Sequence, residues 1–291
     1  MAGEMGGEMA AGAIPGSAMP GSGINAARAA LKAHWPEYLI EAAGLGVFMA
    51  TAGVCVMLAN LPSFAGIIRN PDLRRAAVGV AMGSTAIALI YSPWGMRSGA
   101  HLNPAVTLSF WRLGKVSPAD AAFYIVAQFA GGAAGTLLLA ALFGDRFTLP
   151  PIAAVATLPG GWGELAAFAA EVAIAFGLMA TVLAANASAR LMRWTGVCAG
   201  VLVALYIAVE APVSGMSLNP ARSVASALPS GIWHGIWIYL TAPALGMLLA
   251  AELHLRRGRR TPCAKLHHDT SGSCIFRCDH AAANQETRHV A

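Results

Sequence analysis

One short polar motif occurs twice in the sequence, and its residue types indicate a specific chemistry. Residues 98–105 read Ser-Gly-Ala-His-Leu-Asn-Pro-Ala and residues 214–221 read Ser-Gly-Met-Ser-Leu-Asn-Pro-Ala, so six of eight positions are identical at an offset of 116 residues. The repeated tripeptide is Asn103, Pro104 and Ala105 in the first copy and Asn219, Pro220 and Ala221 in the second.

Asparagine followed by proline is typical of a helix start. The Asn side-chain oxygen caps an early backbone N–H, and Pro suits the first helical position, where no N–H is needed. The Asn amide then keeps two N–H donors free. If two such helices meet at their N-termini, the donors of Asn103 and Asn219 and the positive helix ends face one point. That point accepts a lone pair from water or a hydroxyl, repels cations and interrupts a proton wire.

Long apolar stretches surround both motifs. A membrane-spanning helix needs about 20 mostly apolar residues. Two segments, 105–113 and 221–228, are apolar but too short to cross, and each begins at one of the motifs. The stretches that are long enough are 37–59, 76–92, 119–143, 164–186, 195–211 and 232–253.

Each half of the chain therefore has three spans with a short helix between the second and third. An odd number of spans per half means that the second half enters from the opposite side of the membrane. The predicted fold is an all-α membrane protein, with six transmembrane helices plus two half-helices in an inverted repeat. We expect a disordered N-terminal cytoplasmic tail over 1–33, a channel domain over 34–255 with repeats at about 36–143 and 163–255, and a Cys/His-containing tail over 256–291.

Composition supports a lipid environment. The chain is 57% hydrophobic and 11% charged, with a mean hydropathy of +0.60, whereas soluble domains carry about 25% charged residues. The net charge of +5 does not indicate a nucleic-acid partner, because the basic residues lie in short clusters between apolar runs. The spans contain no Ser/His/Asp set or metal cluster placed for catalysis, so we predict no enzyme activity and no cofactor in the membrane domain.

The distribution of Lys and Arg predicts the orientation. With the N-terminus inside, 14 of these residues lie in inner segments and 4 in outer loops, leaving Arg222 aside. Both termini are therefore expected in the cytoplasm. No cleavable signal peptide or organelle-targeting pattern is evident, which favours a bacterial plasma membrane.

With these motifs in place, the sequence resembles the aquaporin family, also called the major intrinsic proteins. The resemblance covers about residues 36–255 and depends on Ser-Gly-Ala-His-Leu-Asn-Pro-Ala-Val-Thr at 98–107 and Asn-Pro-Ala-Arg-Ser at 219–223. It implies a bundle of six helices and two half-helices, one pore in each subunit, and a homotetramer in the bilayer.

Glu41 and Glu171 match the family's buried glutamates, which accept backbone N–H groups from the loops before the half-helices. A carboxylate inside a span is costly without donors, so this role is physically reasonable. By the same resemblance, Gln128 is expected to anchor a half-helix and His101 is a candidate for the inner pore.

The expected selectivity filter centres on Arg222. An Arg one residue past the second motif is costly in a membrane unless it lines water. In the family, the matching Arg forms the narrowest constriction and excludes cations and protons. The match places Ile207 and Met216 in the filter, and either Met82 or Gly83 on the second span. This lining is less polar than a strict water filter, in which His is usual at the Ile207 position.

Glu210 lies three residues after Ile207, on roughly the same helix face. The sequence allows two roles for Glu210 equally. In the first, it lines the outer vestibule or supports Arg222. In the second, it is a structural carboxylate that accepts loop N–H groups.

The tail carries a possible ligand set of Cys263, His267, Cys274 and Cys278. Four such side chains are able to bind zinc tetrahedrally, although the spacing is not that of a standard finger. Lipidation, redox sensing and plain disorder are the alternatives. Zinc in this tail is the one cofactor that the sequence suggests.

The predicted function is a passive channel for water or small neutral solutes. A facilitator for glycerol, ammonia or another small solute is the alternative within this class. An ion-coupled secondary transporter is the rival from another class, and it requires a titratable or ion-coordinating group at the midplane.

Overall fold

The computed structural model describes residues 20–268 and 274–279, and within these ranges every regular element is a helix. Two short 3-10 turns, Ala153–Val155 and Met192–Trp194, lie between the longer elements. The α-helices are α1 (Pro20–Ala59), α2 (Pro62–Ile67), α3 (Pro71–Tyr91), α4 (Pro93–Ser98), α5 (Pro104–Arg112), α6 (Pro118–Phe143), α7 (Asp145–Thr148), α8 (Glu164–Asn186), α9 (Thr195–Val209), α10 (Ala211–Ser214), α11 (Pro220–Ser230) and α12 (Ile236–Arg256).

Six helices are long and apolar enough to cross a membrane, which confirms the predicted number. They are α1, α3, α6, α8, α9 with its preceding turn, and α12. The two half-helices are α5, with 9 residues, and α11, with 11. Each starts at proline directly after its capping asparagine.

The N-terminal boundary differs from the prediction. Helix α1 begins at Pro20, so residues 20–33 are helical and do not belong to a disordered tail. Residues 1–19, the rest of that predicted tail, lie outside the described residues. Helix α1 contacts the bundle from His34 onward, where His34 Nδ1 lies 2.7 Å from Asp120 Oδ1 of α6.

The helix pairs reflect the inverted repeat. Helix α1 packs on α6 and α8 packs on α12, while α3 packs on α9, its counterpart in the other repeat. Glycines permit these close contacts: a Cβ on Gly131 would overlap the carbonyl of Ala42, and one on Gly246 would overlap the carbonyl of Val172. Ala42 and Val172 directly follow the two matched glutamates, so the two contacts occupy equivalent places in the two repeats.

Both ends of the described chain lie at one end of the bundle, which we call the terminal face. It carries His34 of α1, Asp120 of α6, Asn186 of α8 and His254 of α12. Residues 261–268 and 274–279 pack against this face and do not extend away from it as a separate tail.

Candidate functional site: a pore between two half-helices

The two loops that lead into α5 and α11 share one unusual backbone conformation. Non-glycine residues rarely adopt positive φ, because the Cβ is crowded there. Both loops do so at equivalent positions, which shows that the sequence repeat extends to the backbone. The positive-φ residues are Gly99, Ala100 and Leu102 in the first loop and Gly215, Met216 and Leu218 in the second.

Glu41 holds the first loop. The carboxylate is fully buried and accepts four hydrogen bonds. The donors are the Ser98 hydroxyl at 2.8 Å, the backbone N–H groups of His101 at 3.1 Å and Leu102 at 2.6 Å, and the Gln128 amide at 2.8 Å. Gln128 of α6 thus binds the same carboxylate as the loop.

Glu171 holds the second loop in the same way. It is also fully buried and accepts bonds from the Ser214 hydroxyl at 2.9 Å and from the backbone N–H groups of Ser217 at 2.6 Å and Leu218 at 2.8 Å. Buried carboxylates need such donors, and here the donors are N–H and hydroxyl groups of the strained loop. Each glutamate therefore stabilises a conformation that the loop sequence alone disfavours.

The capping asparagines meet at the centre of the bundle. Each side-chain oxygen accepts the backbone N–H two residues later, at 2.9 Å in the first copy and 3.0 Å in the second. The Asn103 amide donates to the carbonyl of Leu218 at 2.8 Å, and the Asn219 amide donates to the carbonyl of Leu102 at 2.7 Å. The expectation of two free donors on each Asn is wrong, because one N–H of each binds the opposing loop. One donor per asparagine remains for a solute.

A cavity of about 450 Å³ runs through the bundle beside these asparagines. Asn103 and Asn219 line it near the middle, and Arg75 lines it toward the face opposite the terminal face. Its walls are mostly aliphatic. A narrow apolar passage with a few central donors is suited to neutral molecules that carry lone pairs.

Arg222 lines this cavity and has a defined orientation. Its Nη1 donates to the carbonyl of Val155 at 2.9 Å. Val155 ends a turn in which it and Ala153 and Ala154 all have positive φ, between 47° and 58°. This loop between the repeats therefore presents a backbone acceptor that holds the guanidinium at the cavity wall.

Of the other expected filter residues, Ile207, Met216 and Met82 line the same cavity. Gly83 does not, because it faces α9, where a Cβ would overlap the carbonyl of Gly200. Val78, one helical turn before Met82 in α3, also lines the cavity. Since Gly79 lies directly against Ile207, Val78 is at the level of Ile207.

Glu210 lies between α9 and α10 with both carboxylate oxygens buried. It is not among the described residues that line the cavity, so the vestibule role does not match its position.

His101 lies at the end of the cavity that opens toward the terminal face. Its Nδ1 is 3.1 Å from the Thr107 hydroxyl, and its Nε2 is 2.9 Å from the carbonyl of Ala264. The ring is stacked between Phe110 and Phe276, at centroid distances of 5.1 and 5.3 Å. Two of these partners belong to the C-terminal segment, so a residue predicted to line the inner pore also binds the tail.

The tail side chains form a compact cluster. Cys263, His268, Cys274 and Cys278 each offer a ligand atom, and these four atoms lie within 4.8 Å of one another. The sequence predicted His267 in this set, but His267 instead packs on the Tyr91 ring at a centroid distance of 4.5 Å. A hydrogen bond from the Cys263 thiol lowers the pKa of Cys274 and raises that of Cys263.

Val78, Val155 and Leu266 are among the residues of the site that were not found from the sequence. Val78 is one helical turn from Met82, so the i, i+4 spacing was an available signal. Val155 acts through its backbone carbonyl, which leaves no side-chain pattern. Leu266 lines the cavity from the tail, and this contact depends on how a distant segment folds back.

Comparison with known proteins matches the chain to one family and to individual relatives. Residues 28–254 match the family model described as major intrinsic protein. The chain is 35% identical over 208 residues to aquaporin NIP1-4 of Oryza sativa subsp. japonica, covering 71% of this chain and 73% of that protein. It is 33% identical over 207 residues to aquaporin NIP1-1 of Zea mays, covering 70% of this chain and 71% of that protein.

Among solved structures, the chain is similar to the aquaglyceroporin from Plasmodium falciparum. The TM-score is 0.65, and the match covers 76% of this chain and 95% of that chain. The identity is 20%, so this likeness shows the fold alone.

Proposed function

Because the chain belongs to the major intrinsic protein family, and is a passive channel for water and small neutral solutes, we propose that its pore conducts glycerol-sized solutes as well as water. The family consists of channels. The solute range of this member is the finer point on which its own side chains bear.

The observation that carries this proposal is the apolar lining around Arg222. Ile207, Met216 and Met82 line the same cavity as the guanidinium, and Val78 adds a further aliphatic wall. A water molecule gains little from such walls. A polyol has a carbon face that packs on them while its hydroxyls reach the guanidinium and the central amides. The lining therefore favours a solute that is apolar on one side.

Charge exclusion follows from the fixed positive groups. The Arg222 guanidinium and the positive ends of α5 and α11 all act on solutes in the cavity. A cation meets these groups after losing part of its hydration shell, at high cost. The proposed conductance is accordingly restricted to neutral molecules.

The test is stopped-flow light scattering on proteoliposomes that contain the full chain, with empty vesicles as the reference. Reductant and a metal chelator are included because the cysteine cluster lies close to the pore mouth. We expect faster shrinkage in an impermeant osmolyte and faster re-swelling in glycerol. In Ile207→His, a polar side chain replaces part of the apolar wall, and we expect re-swelling in glycerol to slow several-fold while water flow persists.

Cys198→Ser is the matched control in the same helix, because Cys198 is not among the residues that line the cavity. Its rates should equal those of the wild type. Shrinkage without any glycerol-dependent re-swelling would contradict the proposed solute range while leaving the water channel intact.

We further propose that transport is not coupled to an ion gradient and that the pore does no covalent chemistry. The carboxylates of Glu41 and Glu171, which lie beside the half-helices, are occupied by hydrogen bonds to the loops. A coupling site needs a group that changes its partners during transport. Glycerol flux that depends on an imposed proton or sodium gradient would contradict this proposal and support an ion-coupled secondary transporter.

For the setting of the channel, we propose a plasma membrane with the terminal face in the cytoplasm, and a homotetramer. The orientation is supported by the excess of Lys and Arg on that side. The tetramer is supported by family membership.

A further inference from the structure

The described part of the C-terminal segment, residues 261–268 and 274–279, lies at the pore mouth on the terminal face. Leu266 lines the same cavity as the paired asparagines. Cys263, Ala264 and Phe276 are buried in the main core of the channel. A segment that the sequence predicted as a separate tail is therefore part of the pore lining.

Backbone and ring contacts fix this segment to the first pore loop. The Leu266 N–H donates to the carbonyl of Gly99 at 3.1 Å, and the Ala264 carbonyl lies 2.9 Å from His101 Nε2. Phe276 stacks on the His101 ring at an angle of 10°. These partners belong to the loop that is held by Glu41, so the segment contacts the pore architecture directly.

A second group of contacts fixes the segment to the ends of the surrounding helices. The Asn186 amide donates to the carbonyl of Lys265 at 3.2 Å. Near the end of the described chain, Lys115 Nζ lies 2.9 Å from Asp279 Oδ1. The Asp279 N–H donates to the carbonyl of Pro262 at 2.9 Å, which closes the segment into a loop.

The four clustered side chains have the composition and spacing of a tetrahedral metal site. Cys263 Sγ lies 3.5 Å from Cys274 Sγ, and Cys278 Sγ lies 3.1 Å from His268 Nε2. Thiolates bound to one zinc at about 2.3 Å lie roughly 3.8 Å apart in a tetrahedron. Three sulfurs and one imidazole form a standard structural set for zinc.

We propose that Cys263, His268, Cys274 and Cys278 bind one zinc ion, and that this ion holds the C-terminal segment as a plug in the pore mouth on the terminal face. Over the described residues 261–268 and 274–278, the segment has no regular secondary structure, and Asp279 is helical. Residues 261–268 have neither a helix nor a sheet ladder to hold their shape, and metal binding couples directly to the folding of such a unit. Loss of the ion releases the plug and opens the pore.

The first measurement is metal content, which does not depend on conductance. Full-length protein is purified in zinc-containing buffer and assayed by plasma mass spectrometry. We expect one zinc per chain, and close to none in the Cys263→Ser, Cys274→Ser, Cys278→Ser triple variant. The control is Cys55→Ser, Cys198→Ser, which removes the other two cysteines and should keep the ion. Cobalt substitution should give the visible absorption of a tetrahedral thiolate site in the wild type and the control, but not in the triple variant.

The second measurement is water permeability of the same proteins in proteoliposomes. Zinc-loaded wild type and control should be slow, and chelation should raise their rates about tenfold or more, as for a gate that shifts from mostly closed to mostly open. Re-addition of zinc should close them again. The triple variant should conduct rapidly with or without zinc.

The outcomes separate this inference from the proposed channel function. One zinc per chain with equal permeability in loaded and chelated protein would overturn the plug. Absence of zinc together with a Cys263–Cys274 disulfide in the non-reduced protein would overturn the metal site. If the triple variant binds no zinc, remains folded and still does not exceed empty vesicles, the open pore fails and so does its closure by zinc.

Discussion

At the scale of single residues, two carboxylates determine the shape of the pore. Glu41 and Glu171 each accept hydrogen bonds from a loop whose residues have positive φ. Such backbone costs free energy at every non-glycine position. The charge-assisted bonds offset that cost, so the two glutamates act on conductance through loop geometry, although neither is a described cavity-lining residue.

Glu171→Gln tests this role. The amide NH2 group would face a loop N–H that now donates to Oε2, and an unsatisfied buried donor costs about 1–3 kcal/mol. We expect a lower unfolding temperature in detergent and lower water permeability. Circular dichroism melts and stopped-flow scattering give the two readouts.

Glu164→Gln is the control, because that side chain is 41% exposed at the start of the same helix. It should behave as the wild type. An unfolding temperature for Glu171→Gln equal to that of Glu164→Gln would show that the loop does not need the carboxylate.

At the scale of helices, glycines set the distances between the packed pairs. Gly131 of α6 lies against the backbone of α1 directly after Glu41, and Gly246 of α12 lies against α8 directly after Glu171. In lipid, close backbone approach takes over the role that hydrophobic burial has in water. These contacts therefore also position the glutamates that hold the loops.

Gly131→Ala should disrupt the α1–α6 pair. The added methyl group would overlap the carbonyl of Ala42, and overpacking of this kind costs about 1–3 kcal/mol. We expect a lower unfolding temperature and reduced water flow, since a shift of α1 displaces Glu41. Thermal melts followed by permeability assays measure both effects.

Gly66→Ala is the matched control, because a Cβ at Gly66 in α2 meets nothing within 4 Å. Its melt should not be lowered. If Gly131→Ala and Gly66→Ala melt alike, the α1–α6 contact is looser than the structure shows.

At the scale of the whole molecule, the inverted repeat brings both ends of the described chain to one face. His34 of α1 contacts Asp120, and the C-terminal segment reaches the first pore loop at His101. An even number of spans requires this arrangement. It is also what allows a C-terminal segment to reach the mouth of the pore.

We expect the terminal face to be cytoplasmic. A green fluorescent protein fused after Ala291 should fluoresce in a bacterial host, because it folds in the cytoplasm, whereas alkaline phosphatase at that position should be inactive. Phosphatase inserted at Gly161, in the loop between the repeats, should be active. The reverse pattern would contradict the orientation inferred from the Lys and Arg counts.

The sequence by itself determined the class of fold and the centre of the pore. Apolar runs of spanning length predict helices in lipid, because a helix satisfies the hydrogen bonds of its own backbone groups. The repeated Asn-Pro-Ala then identified the two half-helices, since Asn caps and Pro starts a helix wherever they occur. These are local properties, so Asn103, Asn219 and their repeat were visible from the sequence, whereas the role of Glu41 and Glu171 came from the family resemblance.

Only the tertiary structure decided which neighbours each of these groups meets. Each pore asparagine binds the opposing loop, and Arg222 donates to the carbonyl of Val155. Met82, and not Gly83, lines the cavity. All of these depend on contacts between distant segments. The position of Leu266 in the cavity lining also depends on such contacts. Such contacts follow from how helices pack and loops close, which residue spacing along one chain does not encode.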